Sequence, residues 1–245
     1  MSAVIERAAV RRVGHKGAHT IAPGNTFASF AAALEHGVDM IEFDVLPRDL
    51  RRADTCELVL AHDYTDDIDS AVPFEAGVAH LASAAFTGVE LDLDLKAPGY
   101  EARVVEALRR YDLIDRTLIS TQYMRSLVTI RRMEPRLRLG WSVPRVKRDY
   151  TQNPLYMLPA LGILQLMRRR LPGIAAGHLR ARRCDALMSH WRLVTPRLVD
   201  AVRSARGELF VWTVDDAALI RRLHGMGVTG VITNDPRLFG AAGVS

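Results

Sequence analysis

Residues 13–63 read VGHKGAHTIAPGNTFASFAAALEHGVDMIEFDVLPRDLRRADTCELVLAHD, and their pattern indicates the architecture of the chain. Two short apolar runs, over 13–17 and 40–46, flank a segment over 26–36 whose apolar residues recur at helical spacing. Gly37 is a natural stop for that helix. Strands that alternate with helices in this way, and that end in polar residues, are typical of parallel α/β proteins.

The same alternation continues along the rest of the chain. We predict eight strands, over 13–17, 40–46, 89–96, 117–122, 137–143, 186–191, 209–214 and 230–233. An extended piece over 58–62 predicts a hairpin with the second strand, beyond the barrel rim. Eight alternating units in 245 residues predict a single domain, 1–245, folded as a closed parallel (β/α)8 TIM barrel. A doubly wound open sheet is the alternative, which the lack of a glycine-rich turn after the first strand disfavours.

Composition narrows the classes of function. Hydrophobic residues make up 49% and charged residues 25% of the chain, as in globular proteins. The net charge of +5 favours anionic partners, but the arginines are scattered and no nucleic-acid recognition module is visible. Two cysteines give no disulfide framework, and no apolar run reaches the length of a signal peptide or a membrane span. We therefore expect a cytoplasmic protein that binds no nucleic acid, with peripheral membrane contact and oligomeric state left open.

Charged residues alternate with apolar ones at the ends of two predicted strands. Glu42 and Asp44 are two residues apart and therefore share one face of the second strand. Asp94 and Lys96 repeat this arrangement in the third strand. Because buried like charges need compensation, three carboxylates at a barrel mouth indicate a site for a hard divalent cation. The structural alternatives are acids that face water, or an ion pair of Lys96 with Asp92 or Asp94.

Two histidines occupy similar positions. His15 ends the first predicted strand, and His62 ends the extended piece just before Asp63. Histidine exchanges protons near neutral pH, so the two predict a general acid and a general base. Asp63 is predicted either to orient His62 or to cap a turn. Lys16 can receive an anion beside them, and the whole set indicates metal-assisted chemistry on a phosphate ester.

Seven motifs carry a family resemblance. GHKGA, APGNT, GVDMIEFDV, LAHD, LDLK, FVWTVDD and GVTGVITNDP follow one another between Val13 and Phe239. Their order and spacing resemble the glycerophosphodiester phosphodiesterase family. The resemblance implies a TIM-barrel hydrolase that uses a divalent metal ion, Mg²⁺ or Ca²⁺, to cleave glycerophosphodiesters to an alcohol and glycerol 3-phosphate. It also suggests that the substrate's glycerol hydroxyl attacks first, giving a cyclic phosphate that water then opens.

The resemblance assigns roles residue by residue. His15 and His62 match the family's two catalytic histidines, and Glu42 and Asp44 match its Glu-x-Asp metal pair. Asp94 falls where the family usually has its third metal ligand, a glutamate. The remaining matches are expected to contact the phosphate or the rest of the substrate: Lys16, Lys96, Asn25 and Trp212.

Three departures from the family pattern bear on activity. Lys16 replaces the arginine of a His-Arg-Gly motif, and Gly24 replaces the glutamate of a Pro-Glu-Asn-Thr motif. Lysine supplies a point charge where arginine would make a two-pronged phosphate contact. Because one guanidinium and one carboxylate are missing together, the two changes can compensate each other. Asp94 is one methylene shorter than the glutamate that the family usually has at this position.

The alternative function, from another class, is a catalytically silent barrel that binds phosphodiesters without cleaving them.

The section over 144–185 fits no simple barrel unit. We predict a mainly irregular section in which apolar residues of 155–166 form a helix over the barrel mouth, as a lid or insertion. Trp141, His190 and Trp191 are predicted to line the pocket or to pack against this section. An apolar helix flanked by arginines also suits an anionic membrane surface. If it formed a lipid-accepting channel, lysophospholipids would be the alternative substrates, in a lysophospholipase D-type reaction.

Overall fold

The computed structural model describes residues 9–144 and 154–244, with side chains of the helix that begins at Pro154 described from residue 162 onward. The described residues form a closed barrel of eight parallel strands with helices around it, which confirms the predicted (β/α)8 fold. The strands are β1 (Arg11–Gly14), β2 (Met40–Pro47), β3 (Leu58–Val59), β4 (Glu90–Leu95), β5 (Thr117–Thr121), β6 (Arg138–Val143), β7 (Ala186–His190), β8 (Glu208–Trp212) and β9 (Gly230–Thr233). The helices are α1 (Phe27–Glu35), α2 (Phe74–Leu81), α3 (Glu101–Arg110), α4 (Met124–Met133), α5 (Pro154–Arg180), α6 (Pro196–Ser204), α7 (Ala217–Met226) and α8 (Arg237–Ala241).

Pairing of β1 with both β2 and β9 closes the barrel. The short strand β3 lies outside it and pairs antiparallel with the end of β2, with Val59 opposite Leu46. This is the predicted hairpin, although the paired part is shorter than the predicted 58–62. The first strand also differs from the prediction, because β1 ends at Gly14 and His15 begins the loop that follows.

Local signals determine where the helices begin and end. Thr26 caps α1 in a capping box: its hydroxyl accepts the N–H of Ser29, whose hydroxyl accepts the N–H of Thr26. Thr195 caps α6 and Pro196 is its first residue, as the sequence predicts. Gly227 ends α7 in the left-handed conformation, with φ of 82°. Because these helices begin and end at defined residues, the chain returns to the barrel at the start of the next strand.

Side chains from alternate strands fill the barrel interior in layers. At the N-terminal strand ends, contacts of 2.6 to 3.3 Å close a ring of two arginines and two glutamates: Arg11, Glu90, Arg138 and Glu208. Further along the strands lies a buried apolar plug of Val13, Met40, Leu118, Ala186, Met188, Phe210 and Ile232. Acidic residues of β2 and β4 occupy the inward positions nearer the C-terminal strand ends. The interior therefore changes from charged to apolar and back to charged along the barrel axis.

Several arginines serve the fold by binding backbone carbonyls. Arg116 donates hydrogen bonds to three carbonyl oxygens in the connection before β4. Arg103 donates to two in the loop between β2 and β3, and Arg131 to two before β6. A guanidinium has five N–H donors in a fixed plane, which suits it to several carbonyls at once. Part of the arginine content is thereby explained without an anionic partner.

The section predicted to be mainly irregular, 144–185, contains a long helix. That helix, α5, buries Leu171, Ala175 and Leu179 of its C-terminal half in the main hydrophobic core. The helix packs beside α6. It therefore takes the position of an ordinary barrel helix between β6 and β7, and the predicted irregular structure is wrong here.

The amino-acid composition of α5 explains why the sequence does not predict this helix. Pro159, Pro172 and three glycines lie within α5, and both residue types disfavour helix. Packing of the C-terminal half outweighs that preference. Residues 145–153 and the side chains of 154–161 lie outside the described part of the chain. The lid predicted from 155–166 therefore stays a prediction.

Two expectations about the chain concern its cysteines and its helices. Cys56 and Cys184 are both free thiols, as expected without a disulfide framework. Among the helices that the structure describes, none combines the length and the apolar character needed to cross a membrane. The single domain over 1–245 stays a prediction from the sequence.

Removing one charge from the ring at the N-terminal strand ends should destabilise the fold. Glu208→Gln leaves the two arginines of the ring with one glutamate between them, in a layer where each side chain is at most 32% exposed. We expect the free energy of unfolding, measured by urea denaturation, to fall by about 2 kcal/mol. Glu75→Gln is the matched control, because the pair of Glu75 with Arg110 is more than half exposed and should contribute less than about 0.5 kcal/mol. Equal effects of the two substitutions would contradict a stabilising ring.

Candidate active site

Three carboxylates meet at the C-terminal end of the barrel, on β2 and β4. The strand register places Asp44 opposite Asp94, and Glu42 lies one inward position deeper on β2. One oxygen of each acid lies within 4.8 Å of the other two. Glu42 and Asp44 are buried and Asp94 is half-buried. The structure thus brings together the three acids that the alternation of the two strands predicts to share one face.

Two ammonium groups approach the central acid, Asp44. Nζ of Lys96 lies 2.6 Å from its Oδ1 and 2.5 Å from Oδ2 of Asp94. Nζ of Lys16 lies 3.7 Å from Oδ2 of Asp44. The predicted ion pair between Lys96 and Asp94 is therefore present, and Lys96 bridges two acids of the cluster.

Burial and neighbouring charges move the pKa values of this cluster in different directions. Burial, followed by the charge of Asp44, raises the pKa of Glu42 well above its usual value. Burial also opposes ionisation of Asp44, but Lys96 and Lys16 outweigh it and lower the pKa of Asp44. Burial lowers the pKa of Lys96, but Asp44 and Asp94 outweigh it and raise that pKa well above its usual value. Asp44 and Lys96 therefore form an ionised pair, and Glu42 is the acid of the three whose ionisation is opposed by its surroundings.

The loop between β1 and α1 holds two of these acids in place. Oε2 of Glu42 accepts the backbone N–H of Lys16 at 2.8 Å. Asn25 binds Asp44 twice: its Nδ2 donates to Oδ2 at 2.9 Å, and its Oδ1 accepts the Asp44 N–H at 3.0 Å. Lys16 and Asn25 both have left-handed backbones, with φ of 51° and 60°. Asparagine tolerates this conformation better than lysine does, so the backbone at Lys16 is held by its surroundings.

The contacts of Asn25 differ from the role predicted for it, which was contact with the phosphate or the rest of the substrate. Its side-chain oxygen and nitrogen are instead both engaged by Asp44, and the residue is only 5% exposed. Asn25 therefore orients a member of the acidic cluster.

Asp92 is a fourth acid in the cluster, and sequence reasoning assigned it no catalytic or metal-binding role. It is 1% exposed, and its Oδ1 has no hydrogen-bond partner among the described residues. Burial, followed by the charge of Asp94, raises the pKa of Asp92 to about 8. An ion pair of Asp92 with Lys96 was one alternative from the sequence, but the ion pairs described for Lys96 involve Asp44 and Asp94.

His15 lies between the acidic cluster and the loop after β9. Its Nδ1 is 2.6 Å from Oδ1 of Asn234, and its Nε2 is 3.9 Å from Oε2 of Glu42. Burial lowers the pKa of His15 to about 4, against the opposing effects of Asp44 and Asn234. The imidazole is therefore neutral near pH 7. Asn234 belongs to the ITNDP motif, but motif matching alone gave it no role in the site.

His62 is the more exposed of the two histidines, with 45% of its side chain accessible against 20% for His15. Its Nδ1 is 3.1 Å from Oδ2 of Asp63, whose Oδ1 accepts the N–H of Thr65 at 2.8 Å. Both predicted roles of Asp63, orienting His62 and capping a turn, are therefore present. Hydrogen bonds from Thr65 lower the pKa of Asp63 to about 2. His62 also interacts electrostatically with Asp44, which places it at the same site.

A cavity of about 160 Å³ opens at this end of the barrel. Predicted site residues in its wall are His15, Glu42, His62, Asp94, Lys96 and Trp212. Residues to which sequence reasoning assigned no role there are Asp92, Ser120, Gln122, Ser142, Met188, Thr213 and Ile232. Most of these occupy inward positions of barrel strands, so strand alternation is the signal that could have identified them.

Aromatic rings pack beside Trp212 of the cavity wall, at the ends of β7 and β8. The ring of Trp212 packs edge-on against His190 at 5.2 Å, and His190 stacks on Trp191 at 5.5 Å. Trp141 behaves differently, because its ring packs 4.9 Å from His178 of α5. It therefore faces the outer helices, which corresponds to the second of the two positions predicted for it.

The departures at positions 16 and 24 are structurally linked. A Cβ atom at Gly24 would lie 2.8 Å from Cβ of Lys16 and 2.7 Å from Nδ1 of His19, closer than real Cβ contacts. His19 occupies this place by accepting the N–H of Gly24 at 3.0 Å. A glutamate at position 24 would therefore require the loop to move, whereas Lys16 keeps a positive charge beside Asp44.

The donor set of the acidic cluster fits a hard divalent cation. Three carboxylates converge, and Mg²⁺ and Ca²⁺ prefer oxygen ligands of this kind. Oδ1 of Asp94 is buried and has no hydrogen-bond partner in the part of the chain that the structure describes. A cation would satisfy this oxygen and offset the repulsion between Glu42 and Asp44.

Comparison with known sequences gives matches over most of the chain. The profile of the glycerophosphoryl diester phosphodiesterase family matches residues 15–74 and 87–238. A glycerophosphodiester phosphodiesterase of Caldanaerobacter subterraneus subsp. tengcongensis is 25% identical, over 91% of this chain and 93% of its own length. A putative glycerophosphodiester phosphodiesterase of Bacillus subtilis is also 25% identical, over 91% of this chain and 94% of its own length.

Solved structures share the barrel. A putative glycerophosphoryl diester phosphodiesterase from Silicibacter pomeroyi superposes with a TM-score of 0.74 at 21% identity, covering 97% of this chain and 95% of that protein. A phosphodiesterase from Oleispira antarctica, solved in complex with the product sn-glycerol-3-phosphate, superposes with a TM-score of 0.67 at 19% identity, covering 97% of this chain and 98% of that protein. At these identities the superpositions establish the fold alone.

Proposed function

The chain belongs to the glycerophosphoryl diester phosphodiesterase family, and we propose that it hydrolyses glycerophosphodiesters to an alcohol and glycerol 3-phosphate in the cavity described above. It is an enzyme, a phosphoric diester hydrolase of this class. One observation carries the proposed chemistry: three carboxylates, two ammonium groups and two imidazoles converge at the mouth of the barrel. The Oleispira relative, which holds glycerol 3-phosphate, supports the choice of product.

We assign Glu42, Asp44 and Asp94 as ligands of a divalent cation, Mg²⁺ or Ca²⁺. A cation held there would supply positive charge to stabilise a phosphoryl oxygen. The support for this assignment is the spacing of the three oxygens and the unpaired Oδ1 of Asp94. Asn25 keeps Asp44 in position for this task through two hydrogen bonds.

Lys16 and Lys96 supply the positive charge that the protein itself brings to the phosphate. Lys96 stays protonated throughout the working pH range, because the surrounding acids raise its pKa. Lys16 acts as a point charge in place of the arginine common in the family, which favours charge compensation over a two-pronged contact. Trp212 forms the side of the cavity against which the organic part of the substrate packs.

His15 and His62 transfer the protons. One accepts the proton of the attacking hydroxyl, from water or from the neighbouring glycerol group, while its oxygen forms a bond to phosphorus. The other donates a proton to the alcohol oxygen as the phosphorus–oxygen bond breaks. If the glycerol hydroxyl attacks first, water opens the resulting cyclic phosphate in a second step, with the two proton transfers reversed.

Two alternative functions are a lysophospholipase D-type reaction and a catalytically silent barrel. Ile163, Leu166 and Ile174 of α5 are exposed apolar side chains close to a run of arginines. Such a surface suits an anionic lipid layer, and with it a lysophospholipase D-type reaction on lysophospholipids. A silent barrel is less favoured, because Lys16 still places a positive charge beside Asp44. Cytoplasmic location, peripheral membrane contact and oligomeric state stay predictions from the sequence.

Metal removal tests the assigned ligands. We expect EDTA to abolish release of glycerol 3-phosphate from glycerophosphocholine, and Mg²⁺ or Ca²⁺ to restore it. Asp94→Asn should weaken metal affinity by about 100-fold or more, measured by calorimetric titration, because even outer-shell partners contribute 10–100-fold. Asp200→Asn, at an exposed position of α6, is the matched control and should bind metal normally. Full turnover in EDTA would contradict metal dependence, and unchanged affinity of Asp94→Asn would contradict the ligand set.

Substitution of each histidine tests the proton transfers. His15→Ala and His62→Ala should each lower kcat by about 10²–10⁴ while metal binding persists, because each removes a general acid or base. His36→Ala, at an exposed helix end, should leave kcat unchanged. Assays with glycerophosphocholine and lysophosphatidylcholine side by side also separate the two substrate classes. Near-normal turnover of either variant would remove that histidine from the mechanism, and binding without turnover by the unmodified protein would favour the silent barrel.

A further inference from the structure

A chain of hydrogen bonds leads from His15 to a carboxylate outside the acidic cluster. Nδ1 of His15 is 2.6 Å from Oδ1 of Asn234, and Nδ2 of Asn234 donates to Oδ2 of Asp215 at 2.6 Å. Asn234 follows β9, which pairs with β1 just before His15, and Asp215 follows β8. The proposed function described above uses neither residue.

Backbone contacts hold the members of this chain in place. The N–H of Asn234 and the hydroxyl of Thr233 donate to Oδ1 of Asp215, at 2.8 and 3.0 Å. The backbone N–H of His15 donates to the carbonyl oxygen of Thr233 at 2.8 Å. The backbone N–H of Thr20 donates to the carbonyl oxygen of Asn234 at 3.1 Å. Asp215 therefore accepts hydrogen bonds at both oxygens, and the freedom left to Asn234 is rotation of its side chain.

The direction of each hydrogen bond follows from the carboxylate at the end. An ionised carboxylate only accepts hydrogen bonds, so Asn234 must turn its NH₂ group towards Asp215. Its amide oxygen then faces His15 and can only accept. The neutral imidazole of His15 consequently carries its proton on Nδ1, and Nε2 keeps a free electron pair.

The other side of His15 favours the opposite tautomer. Nε2 lies 3.9 Å from Oε2 of Glu42, and a carboxylate at that distance attracts a proton on Nε2 when it is ionised. A proton on Nε2 would remove the electron pair that faces the acidic cluster. The tautomer is therefore set by competition between the Asn234 side and the Glu42 side of the ring.

We propose that Asp215 and Asn234 are positioning residues that keep the proton of His15 on Nδ1 and leave Nε2 as the general base for the attacking hydroxyl. This inference rests on the proposed function, in which His15 transfers a proton. In that reaction Nε2 takes the proton of the hydroxyl whose oxygen bonds to phosphorus, and the resulting imidazolium keeps its Nδ1–H on Asn234. His62 then protonates the departing alcohol.

Asp215→Asn tests the inference because it changes one oxygen to an NH₂ group at nearly constant shape. The side-chain oxygen that remains at position 215 can keep the hydrogen bond from the backbone N–H of Asn234. The introduced NH₂ group would then face the side-chain NH₂ group of Asn234. The Asn234 amide should then flip and donate to Nδ1 of His15, so the proton moves to Nε2. We expect ¹⁵N NMR at neutral pH to report this change of tautomer. We expect kcat to fall by about 10²–10⁴ with KM little changed, as for loss of a correctly protonated base.

Two further variants control the experiment. Asp216→Asn makes the same chemical change at the next residue, which caps α7 through the N–H of Leu219; asparagine also caps helices, so tautomer and kcat should both stay unchanged. The exchange variant Asp215→Asn/Asn234→Asp restores a complete set of donors and acceptors. The carboxylate introduced at position 234 would accept from both the amide introduced at position 215 and the Nδ1–H of His15. We expect it to return the proton to Nδ1 and to recover kcat to within about tenfold of the unmodified enzyme.

The outcomes separate this inference from the proposed function. A proton that remains on Nδ1 in Asp215→Asn would overturn the inference, and so would a change of tautomer with normal kcat. A loss of kcat in Asp215→Asn that the exchange variant fails to recover, despite a restored tautomer, would also overturn it. Absence of any turnover by the unmodified protein would contradict the proposed function, whereas the NMR spectra would still report which nitrogen of His15 carries the proton.

Discussion

The carboxylate of Asp44 is completely withdrawn from solvent, and the arrangement of the site depends on how this charge is neutralised. A lone ionised carboxylate in such a place would be destabilising by several kcal/mol. Asp44 instead has Lys96 at 2.6 Å, Lys16 at 3.7 Å and two hydrogen bonds with Asn25. Lys96 follows β4, and Lys16 and Asn25 both lie in the loop between β1 and α1, so one buried charge on β2 ties two other segments to it.

The same need for compensation shapes the barrel as a whole. The ion-pair ring at the N-terminal strand ends is complete, because each of its two arginines contacts both glutamates. The acidic cluster at the other end is incomplete: Glu42 and Asp92 have raised pKa values, and buried oxygens of Asp92 and Asp94 lack hydrogen-bond partners among the described residues. Uncompensated buried acids destabilise a fold and suit a cation. The apolar plug between the two charged layers keeps them apart.

Strand periodicity was sufficient to predict much of this site. Two-residue alternation turned Glu42, Asp44 and Asp94 to one face, and the register of parallel strands then brought them together. Contacts between distant segments could not be predicted in this way. The link between His15 and Asn234 spans 219 positions and depends on barrel closure between β1 and β9. The two hydrogen bonds of Asn25 depend on a left-handed turn, and α5 was missed because packing outweighs its prolines and glycines.

The cluster around Asp44 is central to the proposed chemistry, because it would hold a cation next to the phosphate. Anomalous diffraction from crystals grown with Mn²⁺ and glycerol 3-phosphate tests this directly, since Mn²⁺ accepts the same oxygen ligands as Mg²⁺. We predict an anomalous peak bound by Glu42, Asp44 and Asp94, with the phosphate in contact with Lys16 and Lys96. A peak bound by other residues, or phosphate bound away from this cluster, would contradict the assignment.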